Sequence, residues 1–104
     1  MRVELLWWEG CPSWPKALAE LEETMTALGL DPGTVELREV ESDEQAERER
    51  FPGSPTIRID GSDIVPATGE PASLTCRVYR LRDGRISPTP DPSDLLEALE
   101  RSKG

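Results

Sequence analysis

The sequence contains no histidine and only two cysteines, Cys11 and Cys76. The first absence excludes catalysis by Ser-His-Asp or Cys-His constellations and any zinc site built on imidazole. The second excludes the disulfide framework of small secreted domains, and cysteines so far apart in the chain lack the paired spacing of a structural zinc site. Basic residues are scarce as well: 12 Lys and Arg stand against 21 Asp and Glu, a formal charge of -9. Such a field repels phosphate backbones and anionic bilayers, so neither nucleic acid nor membrane is an expected partner. Long hydrophobic runs are missing too; the longest wholly apolar stretch is Leu5 to Trp8, against roughly 20 residues for a membrane helix. The N-terminus enters that stretch through Glu4 without a small-residue cleavage pattern. No secretory signal is read, and the expected compartment is the cytoplasm.

What is present is 104 residues, 36% hydrophobic and 32% charged, the arithmetic of a single domain over 1–104. Val3 to Trp8 begins by alternating and ends apolar on both faces, as a strand does when its far end is covered. Gly10, Pro12 and Pro15 punctuate a turn, after which Trp14, Ala17, Leu18, Leu21, Met25 and Leu28 recur at three and four residue intervals. That spacing predicts a helix over 14–28, with Ser13 as N-cap, Pro15 in the first turn and Gly29 at the left-handed C-terminal position. Val35, Leu37 and Val40 alternate with charged residues as a second strand. Ser42 with Gln45 is a capping-box signature for a short charged helix to about Arg50, anchored by Ala46 and Phe51.

Thr56 to Ile59 reads as a third strand, and Asp60-Gly61 as the tight turn of a hairpin returning through Asp63-Ile64-Val65. From Pro66 to Pro90 the pattern weakens: Ala67 to Pro71 reads as loop and Val78 to Leu81 as a strand turning at Asp83-Gly84. Asp91 caps a final helix with Pro92 at its first position and Leu95, Leu96 and Leu99 as its buried stripe, ahead of a polar tail from Arg101 to Gly104.

The order β-α-β-α-β-β-α, with an insertion between the fourth strand and the last helix, resembles the α/β thioredoxin-like fold family. The residues that carry the resemblance are Trp8-Glu9-Gly10-Cys11-Pro12-Ser13-Trp14, then Gly53-Ser54-Pro55-Thr56, then the Asp60-Gly61 hairpin. It implies a cytoplasmic thiol protein engaged in thiol-disulfide exchange or related redox chemistry, with a protein or small-molecule disulfide or thiol as substrate and no cofactor or metal. It also implies a cis Ser54-Pro55 bond beside the reactive cysteine, with the Ser54 backbone free to pair with an extended peptide. From the residues alone, an ordinary trans turn proline fits equally.

Cys11 is the expected nucleophile, an accessible thiol at the N-terminus of the first helix whose N-H groups stabilise its thiolate, with Glu9 opposing and Lys16 available to compensate; an inert thiol under Trp14 is the competing reading. Trp14 stands where a Cys-x-x-Cys pair would place its resolving sulfur. Cys76 is the candidate resolving thiol, since the hairpin returns the chain beside Cys11 and ten further residues span up to about 33 Å; a buried small hydrophobe is the competing reading. Trp8 and Trp14 are candidate walls of a substrate pocket, Trp14 also fitting an ordinary core or rim position, and at least one of Trp7 and Trp8 should be buried. Two other functions fit the same residues. One is soft-metal or organomercurial handling by two thiolates with Glu9 or Asp63 as the acid. The other is a non-catalytic scaffold that binds peptide along the Pro55 edge.

Overall fold

Alternation in the first strand works on two sides. Val3 and Leu5 point one way, Glu4 and Leu6 the other, and all four are buried, which requires cover on both faces of the strand. In the computed structural model, which describes residues 1–67 and 69–103, β1 (Val3–Trp7) is accordingly a central strand. Thr68 of the expected 67–71 loop and Gly104 of the expected polar tail lie outside the described residues. β1 pairs in parallel with β2 (Glu36–Glu39) and antiparallel with β3 (Thr56–Ile59), and β3 pairs antiparallel with β4 (Ser62–Asp63). The result is a small mixed α/β protein: a four-stranded mixed sheet in the order β2-β1-β3-β4 with three α-helices among the described residues.

Helix α1 (Trp14–Ala27) follows β1, α2 (Asp43–Glu49) follows β2, and α3 (Pro92–Lys103) closes the chain. α1 and α3 cover one face of the sheet. Ala17, Leu21 and Met25 meet Leu95, Ala98 and Leu99 over Val3, Leu5, Ile57 and Ile59. α2 covers the other face with Ala46 and Phe51 against Leu6 and Val40. The second face is also charged. Glu4 is 2% exposed and accepts from Arg38 at 2.7 Å, and Glu49 on α2 pairs with both Arg38 and Arg58. The acidic helix, short of apolar anchors, is thus tied to the sheet by ion pairs on its inner side.

Several ends form as their residues dictate. α1 terminates in a Schellman arrangement: Gly29, at φ 75°, donates to the Thr26 carbonyl at 3.0 Å, and Leu30 donates to Met25 at 2.8 Å. Asp60 and Gly61 both take positive φ, 51° and 84°, as a two-residue hairpin demands. Ser42 accepts from the Gln45 backbone N-H at 3.1 Å. Other ends differ from expectation. The final helix continues through Arg101 and Lys103, cations that suit its negative end. The fourth strand stops at Asp63 because the Asp63 carboxylate takes the Val65 N-H at 3.0 Å and Arg77 takes the Val65 carbonyl at 2.6 Å. The 66–90 region holds a separate two-stranded ribbon, β5 (Tyr79–Arg80) with β6 (Ile86–Ser87), where one strand was expected.

Candidate functional site

The turn from β1 to α1 brings Cys11 back under its own start: the Cys11 N-H donates to the Trp8 carbonyl at 3.1 Å. The Trp8 indole rests on Gly10, where a Cβ would lie 2.3 Å from the ring and force it to shift. Facing this turn is the Ser54-Pro55 step, whose peptide bond is cis. Ser54 is fully buried, and four partners converge on it. Its hydroxyl accepts from the Trp8 N-H at 3.0 Å, and its carbonyl accepts from the Cys11 thiol at 3.3 Å. That carbonyl also accepts from the Arg77 N-H, and the Ser54 N-H donates to the Thr75 carbonyl, each at 2.8 Å.

The last two bonds form a parallel bridge between Ser54 and Cys76, and they bring together two sulfurs that are distant in sequence. Gly53, at φ 138°, lies against the Arg77 backbone, where a Cβ would come within 3.0 Å. The expectation that the Ser54 backbone is free for an incoming peptide is therefore corrected. Both its polar groups are already paired, by the chain's own residues 75–77.

The two thiols are free and unequal in exposure. Cys11 is 1% exposed and Cys76 is open to solvent. The expectation of an accessible Cys11 is corrected as well: Ser54 and the 75–77 segment lie over the turn that carries it. The buried-hydrophobe reading of Cys76 fails for the opposite reason. Each thiol alters the other's ionisation. Burial pushes Cys11 up, but a hydrogen bond from Cys76, the Ser13 backbone N-H and hydroxyl, and the Ser54 side chain together hold it below the ordinary thiol value. Cys76 is pushed up to about 11, first by its hydrogen bond to Cys11, then by burial and by the Cys11 charge. The two sulfurs titrate as a pair, one proton leaving early and the second late.

Ser13 occupies the N-cap position of α1 but makes no side-chain cap bond. Lys16 does not reach Cys11 and pairs with Glu20 at 3.8 Å. Trp8 sits in the loop over Gly10, packed with Leu6 and Phe51 on the α2 side. Trp14 stacks on Trp7, ring centroids 4.3 Å apart and planes at 26°, against the α1-α3 core. Trp14 therefore takes the core or rim role, and Trp7 and Trp8 are both half-buried rather than one being fully enclosed.

Sequence reasoning missed the group that fixes Cys76. Arg77 is 4% exposed, and its guanidinium reaches Asp63 at 2.7 Å, the Tyr79 hydroxyl at 3.0 Å, Thr56 at 3.3 Å and the Val65 carbonyl. Tyr79 in turn donates to the Pro55 carbonyl and lies under the guanidinium, 4.6 Å from ring centroid to Cζ. Burial raises the Asp63 carboxyl above its ordinary value, with Arg77 pulling part of the way back; burial likewise raises Tyr79. The sequence carried no signal for this group: 77 and 79 point inward while 76, 78 and 80 point out, so an arginine fills a buried position and a valine an exposed one.

Beside Cys76 runs a groove of about 360 Å³ lined in part by Pro52, Pro71, Val78, Ser73 and Glu70. A second groove of about 370 Å³, between the start of α1 and β6, contains no sulfur. No helix among the described residues is long and apolar enough to cross a membrane. No protein-family model, curated protein or solved structure matches the chain.

Proposed function

We propose that the protein is a thioredoxin-like thiol protein of the cytoplasm that carries out thiol-disulfide exchange through a Cys11–Cys76 couple. The observation that carries the reading is geometric: Cys11 donates to the Ser54 carbonyl and Cys76 is bridged to the same Ser54, so two free thiols distant in sequence meet at one residue. A dithiol with one ionised member is the reagent that exchange requires, because a thiolate attacks and a neighbouring sulfur closes the ring. Further support comes from the element order and from the Cys11 turn facing the Ser54-Pro55 step, which agree with the resemblance noted in the sequence. The soft-metal reading has the same two sulfurs; of its two candidate acids, Asp63 is engaged by Arg77, and Glu9 is exposed in the Cys11 turn. The scaffold reading needs a Ser54 edge that residues 75–77 already occupy.

The test is equilibration in redox buffers of graded thiol and disulfide content, followed by alkylation and intact mass. The expected result is loss of both free thiols together, with a Cys11–Cys76 linked peptide on digestion. Two cysteines still alkylated under oxidising conditions, or oxidation only to intermolecular dimers, would sink the proposal.

A further inference from the structure

Three features of the site bear on what it exchanges with, and the inference from them rests on the exchange reading above. The Ser54 backbone is closed: its N-H and carbonyl pair with Thr75 and Arg77. Strand addition needs exactly the groups that are spent here. Displacing residues 75–77 would also pull the Arg77 guanidinium from a cluster in which every buried side-chain polar atom among the described residues has a partner. Next, exposure separates the sulfurs. Cys76 lines the 360 Å³ groove, whereas Cys11 is 1% exposed and does not line it. Last, the surroundings are acidic. Glu70 lines the groove. Glu39 near the Cys11 turn is raised by burial and by the charges of Glu41 and Glu9, so these carboxylates share one field. The one cation among the described residues lining the groove, Arg77, is neutralised by Asp63.

We infer that the disulfide substrate is a small, cationic or neutral molecule rather than an extended polypeptide, and that it is attacked first by Cys76 from the groove, with Cys11 acting second. In the first step the Cys76 proton passes to the Cys11 sulfur. The Cys76 thiolate attacks R-S-S-R, one S-S bond forms as the other breaks, and R-S⁻ leaves and takes a proton from water. In the second step Cys11 gives the proton it received to the hydroxide that the first R-S⁻ left in solvent, and attacks the Cys76 sulfur of the mixed disulfide. The second R-S⁻ departs, and a Cys11–Cys76 bond remains. The dithiol is oxidised by two electrons and one disulfide is reduced to two thiols. Passing the proton between the sulfurs lets the pair's first ionisation, the easy one, supply the attacking thiolate at Cys76; the second proton leaves only when Cys11 attacks.

The experiment treats wild type, Cys11→Ser and Cys76→Ser with cystamine, hydroxyethyl disulfide, oxidised glutathione and a cysteine-peptide disulfide, following adducts by intact mass and released thiol. Cys11→Ala serves as a second variant should the serine disturb folding. Cys11→Ser is expected to hold one adduct, mapped to Cys76. Cys76→Ser should react at least about tenfold more slowly than wild type, as expected of a buried thiol. Cystamine should outpace glutathione by about tenfold or more at low ionic strength, the gap narrowing with salt, and the peptide disulfide should be slowest. If wild type closes its Cys11–Cys76 disulfide while Cys76→Ser reacts as fast as wild type, exchange stands and the order of attack falls. Peptide or glutathione reacting fastest overturns the substrate class. If no variant reacts and wild type forms no internal disulfide, both readings fall together.

Discussion

The two segments that meet at the sulfurs are held by opposite physics. The Cys11 turn hangs between β1 and α1, elements fixed by apolar contact: Leu5, Leu6, Ala17 and Leu21 are all within 1% of full burial. The Cys76 segment contributes few apolar side chains to either core, with Cys76 and Val78 exposed, and is held by Arg77, Tyr79 and two bonds to Ser54. Apolar contact is non-directional, so a side chain lost at one point leaves a cavity but no neighbour unpaired. A buried cation differs, since removing one partner strands the others without water. The difference makes residues 75–79 a clamp that stays in place as a unit or comes away as a unit. Cys76 therefore stands against Cys11 only while Arg77 is satisfied.

The largest expected effect breaks the clamp. Arg77→Met keeps most of the volume but leaves Asp63 and the Val65 carbonyl without their donor, at a cost of about 3–5 kcal/mol. Chemical denaturation should show that loss, and Cys76 should alkylate as an ordinary thiol near pH 8.5 rather than at the high pH its pairing with Cys11 imposes. A variant as stable as wild type with its two thiols still coupled would mean that the Ser54 bonds alone position Cys76.

Leu21→Ala tests the other side of the comparison. It removes a fully buried side chain from the α1-α3 core and should cost about 2–5 kcal/mol. While the protein remains folded, the thiol titration should not move, because no atom of Leu21 touches the polar cluster's bonding. A shifted titration in this variant would show that the two supports are not separate. Tyr79→Phe is a finer cut into the clamp. It deletes the donor to the Pro55 carbonyl and one acceptor of Arg77, for about 1–3 kcal/mol, read by the same denaturation midpoint.

The same contrast explains how much could be read from the residues. The Trp14 to Leu28 spacing, the Ser42 cap and the Asp60-Gly61 turn are local signals, each with its cause inside a few residues, and the corresponding elements appear within a residue or two of expectation. The clamp has no such signal. Its inward positions are filled by Arg77 and Tyr79, so the alternation that marks a buried edge reads as polar and irregular; its partners Asp63, Pro55 and Val65 come from a different part of the chain. For the site, the chain's return beside Cys11 followed from the hairpin and the reach of the ten residues before Cys76. That the returning chain would cover the very backbone expected to receive a substrate did not, because pairing with Ser54 is a property of tertiary geometry. Burial of Cys11 is a consequence of that cover.

Cys76→Ala carries the smallest expected change in stability and the sharpest reading of the coupling. Its side chain is exposed, so folding should change by about 0.5 kcal/mol or less. Its effect on Cys11 has a definite sign. Burial is the largest influence on Cys11 and raises it; the hydrogen bond from Cys76 is the largest influence in the other direction. Taking Cys76 away leaves burial less opposed, so the Cys11 ionisation must move to higher pH and its thiolate fraction at neutral pH must fall. The reciprocal variant, Cys11→Ala, moves Cys76 the other way, down from about 11, because a hydrogen bond and a charge that both raise it are lost. Thiolate ultraviolet absorbance against pH reads both shifts, and they must be opposite in sign. Two variants that shift in the same direction, or not at all, would mean that the sulfurs do not share a proton and that the clamp merely parks Cys76 near a thiol it never engages.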